Sequence, residues 1–215
     1  MISTLLDWFR SGGPIMYAIL LCGLAGLAIF LERLYVIVLV ARRGGGAAVG
    51  ERVIRLVRDG QPAEALAACE RTNAVVPDIG HVLLRTETHD EEDLQNVADA
   101  ASLEVLPHLT RRLQYLPMLA NVATLLGLFG TIYGLREAFA SVAAASAAER
   151  AGRLAAGIAV ALNATGFGLL VAIPLTVGHA YLASQAEMLI EQVDAFAVRL
   201  INALVDRPDV QLRRR

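Results

Sequence analysis

Apolar residues of this chain are concentrated in three blocks, near residues 14–41, 113–148 and 154–186, separated by a polar stretch. Within the first block, residues 14–31 carry no charge at all. A helix needs roughly 17–25 predominantly apolar residues to cross a bilayer. The pattern therefore predicts an all-α membrane protein with three transmembrane helices, the second and third of which extend into the cytoplasm.

The segments around these blocks have distinct patterns. Apolar residues in 1–13 recur at helical spacing and predict an amphipathic periplasmic segment at the membrane surface. The polar residues 42–112 predict a helical cytoplasmic insertion, whose last helix is expected to pass Pro107 and Pro117 with kinks and enter the second span. We predict seven segments in all: 1–13, the first span 14–41, the insertion 42–112, the second span 113–148, a periplasmic turn 149–153, the third span with its extension 154–186, and a cytoplasmic C-terminal helix and tail 187–215.

The distribution of arginine predicts the orientation. Nine arginines lie between the first and second blocks, whereas the connection from the second to the third contains only Arg150 and Arg153. Cytoplasmic loops carry the excess of basic residues in membrane proteins. We therefore expect the insertion and the C-terminus in the cytoplasm and the N-terminus in the periplasm.

Composition narrows the function. Apolar residues make up 56% of the chain, above the roughly 45–50% of soluble proteins, and the net charge of −2 gives no reason to expect nucleic acid as a partner. Cys22 and Cys69 fall in different environments, which argues against a disulfide or a metal pair. We find no nucleophile–base or metal-ligand pattern, and expect neither an enzyme nor a cofactor.

Small and hydroxyl-bearing residues form a stripe on each of the last two predicted spans. Thr124 and Thr131 are two helical turns apart, and the glycines between and beyond them allow close helix packing. On the third span, small or hydroxyl-bearing residues recur at spacings of 4, 3, 4 and 4. The stripe contains Gly127, Gly130 and Gly134 on the second span and Ala161, Thr165, Gly168, Ala172 and Thr176 on the third.

The stripe has two interpretations, helix packing alone or the lining of a channel. Apart from Arg136, Glu137 and His179 near the helix ends, the two spans contain no titratable group. Threonine orders water but carries no charge near neutral pH. If this bundle conducts protons, the carboxylate must therefore come from another chain. Pro174 lies inside the third span and is expected to kink it.

The two central segments resemble those of a known family. Leu125-Leu126-Gly127-Leu128-Phe129-Gly130-Thr131-Ile132-Tyr133-Gly134 and the run from Gly157 to Pro174, GIAVALNATGFGLLVAIP, are similar to segments of the MotA/TolQ/ExbB proton-channel family, closest to its ExbB/TolQ branch. The resemblance implies a homopentamer in the bacterial inner membrane around a single-span partner of the ExbD/TolR/MotB type. The partner's membrane Asp would carry protons past Thr131 and Thr165, with Thr124, Thr176 and Asn163 as secondary polar positions.

One position departs from the family pattern. ExbB and TolQ often have Glu where this chain has Val160. The resemblance implies a motor that uses the proton-motive force for TonB-dependent transport, the Tol-Pal system or gliding-type motility, and the sequence does not choose among these or between H⁺ and Na⁺. The alternative is a non-conducting helical scaffold for an envelope complex.

Overall fold

The chain folds into helices throughout the part that the structure describes. This computed structural model describes residues 13–42, 45–71, 75–86, 88 and 90–206, which contain seven helices and no strand. The helices are α1 (Ile15–Arg42), α2 (Gly45–Arg58), α3 (Pro62–Glu70), α4 (Val75–Arg85), α5 (Glu91–Thr110), α6 (Tyr115–Ala143) and α7 (Arg150–Val205). The predicted all-α class is confirmed. The amphipathic segment predicted over residues 1–13 lies almost entirely outside the described residues, as does the tail after Asp206.

Two compact units make up the fold. The first consists of Met1–Arg33 and Arg112–Tyr181, and the second of Leu34–Arg111 and Leu182–Arg215. The long helices α1 and α7 each contribute residues to both units.

The first unit contains the three apolar helices. Helices α1, α6 and α7 are long and apolar enough to cross a membrane, over Ile15–Val38, Tyr115–Ala143 and within Arg150–Val205. The three predicted spans are thus confirmed by length and composition. Successive glycines along α6 contact progressively earlier residues of α7, so these helices are antiparallel. Contacts from α1 to α7 progress in the same direction, so those two are parallel.

The surface of the first unit is itself apolar. Leu21 is 69% exposed on α1, Ile132 is 61% exposed on α6, and Leu162 is 65% exposed on α7. Exposed apolar surface on every helix of a unit is costly in water, since its burial is worth roughly 25 cal/mol per Å². A bilayer, or neighbouring subunits within one, is the environment that this surface fits.

The second unit is built around a conventional apolar core. Pro62 starts α3 at a position where its missing N–H costs nothing, and three acidic residues occupy the first turn of α5, where the helix dipole favours negative charge. Phe196 of α7 fills the space left by Gly50 and Gly80. The largest buried side chains of the core are Val53, Ile54, Val57, Ile79, Leu83, Leu94, Val193, Phe196, Leu200 and Ile201.

The connection into the second span differs from the prediction. Instead of one kinked helix, α5 ends at Thr110 and α6 begins at Tyr115, with Arg112 in the left-handed conformation at φ 66°. Pro117 falls in the first turn of α6, where backbone N–H groups have no partner within the helix. A proline there starts a helix rather than bending one, so the prediction of a continuous helix was wrong.

Helix α7 is a single element of 56 residues from Arg150 to Val205. It begins inside the stretch 149–153 that was predicted as a turn, and no interruption corresponds to the predicted division between 186 and 187. It also runs unbroken through Pro174. The kink at Pro174 stays a prediction, as do the membrane boundaries.

Candidate functional site: the contact between α6 and α7

Helices α6 and α7 meet through a surface of small residues, which we call the glycine seam. A Cβ atom added at Gly134 would lie 2.8 Å from the Ala161 nitrogen, and one at Gly168 would lie 2.8 Å from the Ala123 oxygen. A Cβ at Gly130 would overlap the Cβ of Ala164. The backbones are therefore in direct contact, the arrangement that small residues permit in membrane helices. The seam is formed by Gly127, Gly130, Gly134 and Ala138 of α6 with Gly157, Ala161, Ala164 and Gly168 of α7.

One of the predicted threonines joins the two helices. The Thr165 hydroxyl of α7 donates a hydrogen bond of 3.0 Å to the carbonyl oxygen of Gly127 on α6. The bond is possible because Gly127 has no side chain; a Cβ there would lie 3.2 Å from the Thr165 Cα. Gly127 thus positions Thr165 as well as allowing close packing.

The other predicted threonines bond within their own helices. The Thr131 hydroxyl donates to the Leu128 carbonyl at 2.6 Å, and Thr124 donates to Ala120 at 3.0 Å. Thr176 donates to the Ala172 carbonyl at 2.9 Å. Such bonds to the preceding turn are a common way for threonine to satisfy its donor in a helix. Of the four hydroxyls, Thr165 alone bridges the described parts of α6 and α7.

The four threonines nevertheless share one side of the helix pair, which we call the threonine edge. At about 100° per residue, Thr131 is rotated by about +40° from Gly127 on α6, and Thr165 by about +60° from Gly168 on α7. Gly127 and Gly168 face each other, since a Cβ on Gly168 would lie 3.1 Å from the Gly127 Cα. Because the helices are antiparallel, rotations of the same sign lead to the same edge. Thr124 and Thr176 follow within about 20° of Thr131 and Thr165.

Helix α1 packs on the opposite edge. Added Cβ atoms at Gly23 and Gly26 would meet Val171 and Leu175 of α7, and one at Gly178 would meet Phe30 of α1. Val171 and Gly178 are rotated by about −60° and −80° from Gly168, away from Thr165. The threonine edge is therefore left uncovered by α1. The position of α1 was not predicted, although its two glycines three residues apart are a packing signal.

Asn163 does not belong to the threonine edge. It is two residues from Thr165, so it lies about 160° away around α7. It is half-buried and has an interaction partner. A separation of two residues puts side chains on opposite faces of a helix, so Asn163 faces away from the threonines, and its role as a secondary polar position stays a prediction.

The threonine oxygens keep a defined chemical capacity. A hydroxyl has one donor and two acceptor lone pairs, and Thr131 and Thr165 both spend the donor on a backbone carbonyl. Each oxygen is then left to accept a hydrogen bond. Two hydrogen-bond acceptors on one otherwise apolar edge can accept hydrogen bonds from a group that donates a proton, such as a carboxylic acid or a hydronium ion.

A charged cluster lies at the far end of the first unit from the α6–α7 turn and was missed by sequence reasoning. One guanidinium nitrogen of Arg112 donates to both carboxylate oxygens of Glu32 at 2.9 Å. Arg33, with only 6% of its surface exposed, donates to the same carboxylate at 2.8 Å. The sequence contained a signal for this cluster: opposite charges at the end of the first charge-free apolar stretch and just before the second apolar block.

The second unit contains groups with shifted ionisation. Hydrogen bonds from Arg199 lower the pKa of Glu51. Burial raises the pKa of the Cys69 thiol to about 11, with Asp78 and Glu70 adding to the shift. A thiol with that pKa stays protonated near neutral pH and is a poor nucleophile and metal ligand. Among the described residues no group of three or more His, Cys, Asp or Glu could hold a metal ion.

Comparison with known proteins agrees with this architecture. A homolog of the biopolymer transport protein ExbB from Methanothermobacter thermautotrophicus is 28% identical over 191 residues, covering 89% of this chain and 67% of the relative. The biopolymer transport protein exbB1 of Vibrio cholerae is 26% identical, over 81% of this chain and 77% of its own length. The Tol-Pal system protein TolQ of Pseudomonas aeruginosa is 40% identical over 85 residues, which are 38% of this chain and 36% of that protein.

A match to a family model covers both helices of the glycine seam. The model of the MotA/TolQ/ExbB proton channel family matches residues 66–195, more than half of the chain and all of the region that contains the threonine edge. The relatives named ExbB and TolQ agree with that match. This chain is a member of the MotA/TolQ/ExbB proton channel family, in its ExbB/TolQ branch.

Proposed function

We propose that this chain is the channel-forming subunit of an inner-membrane motor driven by the proton-motive force. Five copies would surround a single-span partner of the ExbD/TolR type, whose membrane Asp carries protons past Thr131 and Thr165. The N-terminus would lie in the periplasm, and the insertion and the C-terminus in the cytoplasm. The motor would do work at the cell envelope, in TonB-dependent transport, the Tol-Pal system or gliding-type motility.

The observation that carries this proposal is the threonine edge. Thr131 and Thr165 lie on the side of the α6–α7 pair that α1 does not cover, with hydroxyl donors occupied and oxygens available as acceptors. In a ring of subunits, this edge can face a central partner while α1 lies outside. A protonated Asp is a hydrogen-bond donor, and an ionised one is not. Thr131 and Thr165 would therefore favour the protonated, neutral partner in the membrane.

The edge needs a partner to conduct protons. Between Thr124 and Leu135 of α6 and between Leu154 and Thr176 of α7, the described residues along it offer threonine, glycine and aliphatic side chains, none of which changes charge near neutral pH. His179 of α7 lies beyond this stretch, about one helical turn past Thr176. A charged carboxylate at the centre of a bilayer is costly. Protonation of a partner carboxylate removes that cost and lets the proton cross the membrane as part of a neutral group. The titratable group can therefore reside on the partner chain.

Val160 does not weaken this pathway. It is rotated by about −80° from Gly168, whereas Thr165 is rotated by about +60°, so the two side chains leave α7 about 140° apart. A Cβ added at Gly13, ahead of α1, would lie 3.5 Å from Val160. The missing family carboxylate would therefore have pointed to the α1 side, and the threonine edge is complete without it.

The satisfied hydroxyls also support a second candidate, a non-conducting scaffold. In that reading the Thr165–Gly127 bond exists to hold two helices together. An interhelical hydrogen bond of this kind contributes about 0.6 kcal/mol in membrane proteins and at most about 1.7 kcal/mol. The scaffold needs no partner carboxylate and no acceptor capacity on Thr131.

Proton flux separates the two candidates. The full chain is co-expressed with a candidate single-span partner, reconstituted into liposomes, and assayed with a pH-sensitive dye under an imposed potential. Thr131→Val keeps the shape and removes the acceptor, so flux should fall at least about tenfold while the oligomer, weighed by native mass spectrometry, is unchanged. Thr131→Ser restores a hydroxyl and should retain flux.

Thr165→Val should also stop flux, but it removes the bond to Gly127 as well. Because that bond joins two helices of one subunit, the Thr165 variant is expected to unfold more readily in SDS than the Thr131 variant, and Thr165→Ser should recover both flux and stability. Undiminished flux in both valine variants would refute the threonine pathway. Absence of flux from the wild type with its partner bound would favour the scaffold.

A further inference from the structure

A second polar feature of the first unit lies apart from the threonine edge. It is a cleft of about 380 Å³, which we call the end cleft, lined among others by Tyr133, Glu137, Ser141, Arg153 and Val160. Its volume falls at the lower end of the range of small-molecule sites, about 300–1,000 Å³. Its floor is made of glycine, alanine and valine, so charge is confined to Glu137 and Arg153.

The end cleft does not open on the proposed proton pathway. Glu137 is rotated by about −80° from Gly127, whereas Thr131 is rotated by about +40°. Arg153 is rotated by about −60° from Gly168, whereas Thr165 is at about +60°. The cleft therefore lies on the edge where α1 packs, and Gly13 at the start of α1 contributes to its wall.

The cleft lies where three helices end. Glu137 is six residues before the end of α6, about 9 Å along its axis, and Arg153 is three residues after the start of α7, about 4–5 Å. Gly13 lies two residues before the start of α1. Charged side chains at the ends of spans lie at the level of the lipid headgroups, where they are tolerated and attract headgroup charges.

The two charges of the cleft are available to a ligand. Within the part of the chain that the structure describes, the side chains of Glu137 and Arg153 form no ion pair or hydrogen bond, with each other or with any other group. Two nearby charges at this end are engaged: Glu149 bonds to Ser146, and Arg150 donates to the Ala145 carbonyl. A cation and an anion held apart over an apolar floor complement a zwitterion.

We propose that the end cleft binds the headgroup of a zwitterionic phospholipid with a primary amine. Its ammonium group would donate to the Glu137 carboxylate, and its phosphate would accept from the Arg153 guanidinium, a pairing that planar guanidinium favours. The acyl chains would extend along the exposed apolar surface of the unit. This inference rests on the membrane fold of the chain and does not depend on proton conduction.

Lipid binding by the purified full chain tests the proposal. Native mass spectrometry in detergent compares phosphatidylethanolamine, phosphatidylcholine and phosphatidylglycerol with the same acyl chains. Phosphatidylcholine carries a quaternary ammonium without N–H, and phosphatidylglycerol carries no cation. The wild type should bind phosphatidylethanolamine about tenfold tighter than either, since a charge-assisted hydrogen bond contributes at least about 1.4 kcal/mol, or one factor of ten.

Three variants separate the roles of the two charges. Glu137→Gln should reduce the preference for phosphatidylethanolamine over phosphatidylcholine to about one, and Arg153→Gln should weaken both lipids. Arg136→Gln is the matched control, because Arg136 is rotated by about 180° from Gly127 and does not line the cleft. Helical content by circular dichroism confirms that each variant is folded.

The proposal is overturned if the wild type shows no headgroup preference or prefers phosphatidylglycerol. It is also overturned if Arg136→Gln alters the preference as much as Glu137→Gln does. None of these measurements needs a partner or a pH gradient, so their failure leaves the proton pathway untouched, and loss of flux in the threonine variants leaves the lipid site untouched.

Discussion

The substitution Gly134→Ala tests how tightly α6 and α7 are packed. The added Cβ would lie 2.8 Å from the Ala161 nitrogen and 3.0 Å from its Cα and Cβ, whereas non-bonded carbon atoms prefer about 3.5–4.0 Å. The obstacle is backbone, so no flexible side chain can move aside. The helices would have to separate locally by about 0.5–1 Å, and overpacking of this kind costs typically about 1–3 kcal/mol.

Alanine also has a higher helix propensity than glycine, which offsets the cost by up to about 1 kcal/mol. Gly152→Ala provides the control, because a Cβ at Gly152, also within a helix, meets nothing within 4 Å. The propensity gain is common to both variants. Their difference in unfolding free energy therefore isolates the steric term, expected at about 1–3 kcal/mol.

The assay is a titration of the purified full chain from mild detergent into SDS, followed by helical circular dichroism. The expected order of midpoints is Gly152→Ala at or above wild type, and Gly134→Ala below it. A Gly134→Ala midpoint equal to or above that of Gly152→Ala would show that the two backbones are not in contact at Gly134. The close antiparallel arrangement of α6 and α7, and the placement of the threonine edge derived from it, would then be wrong.

Three further substitutions test other features. Gly130→Leu should prevent formation of the native oligomer, seen as a loss of mass by native mass spectrometry, because the seam has no room for the side chain; a normal oligomer would argue against close packing. Arg112→Gly should have a higher unfolding free energy than Arg112→Ala, by up to about 1 kcal/mol, in the same SDS titration. Both variants lose the bond to Glu32, but only glycine relieves the strain of the left-handed backbone at this position. The reverse order would exclude that conformation. Glu51→Gln should melt below wild type at neutral pH, since Arg199 lowers the pKa of Glu51 in the folded state. That stabilisation exists above the unfolded-state pKa of Glu51, about 4.3, and is lost as pH falls through its lower folded-state pKa. The melting temperatures of the wild type and the variant should therefore converge in acid. A difference in melting temperature that stayed constant with pH would contradict the linkage.

The spans and the small-residue stripe were predictable because both follow from composition at helical period. Eighteen uncharged residues from 14 to 31 require a membrane or a large core, and glycine at spacings of three and four marks a contact surface. The helix break at Arg112 was not predictable from the same pattern, because helical periodicity and proline positions fit both a kinked helix and a new start. The left-handed φ of Arg112, stabilised by Glu32 from 80 residues away, is a tertiary property.

The position of α1 could not be predicted either, and it changes the meaning of the site. Spacing placed Thr131 and Thr165 on one polar seam, and Asn163 was predicted as a secondary polar position beside them. Contacts of α1 with Val171 and Gly178 show which edge of α7 is covered, and the rotation per residue then separates Asn163 from the threonines. Spacing defines faces of one helix, but the third helix decides which face stays open.

The open edge also constrains what a partner must look like. Thr131 and Thr165 offer acceptors on a surface otherwise lined by apolar side chains such as Leu128 and Leu162. A partner helix that carried its carboxylate ionised would leave that charge facing hydrocarbon at high cost. A partner whose carboxylic acid is protonated when it faces this edge gains a hydrogen bond and avoids that cost. In the proposed motor, the edge would therefore couple protonation of the partner to its docking, and a change of proton occupancy would change which subunit edge the partner prefers.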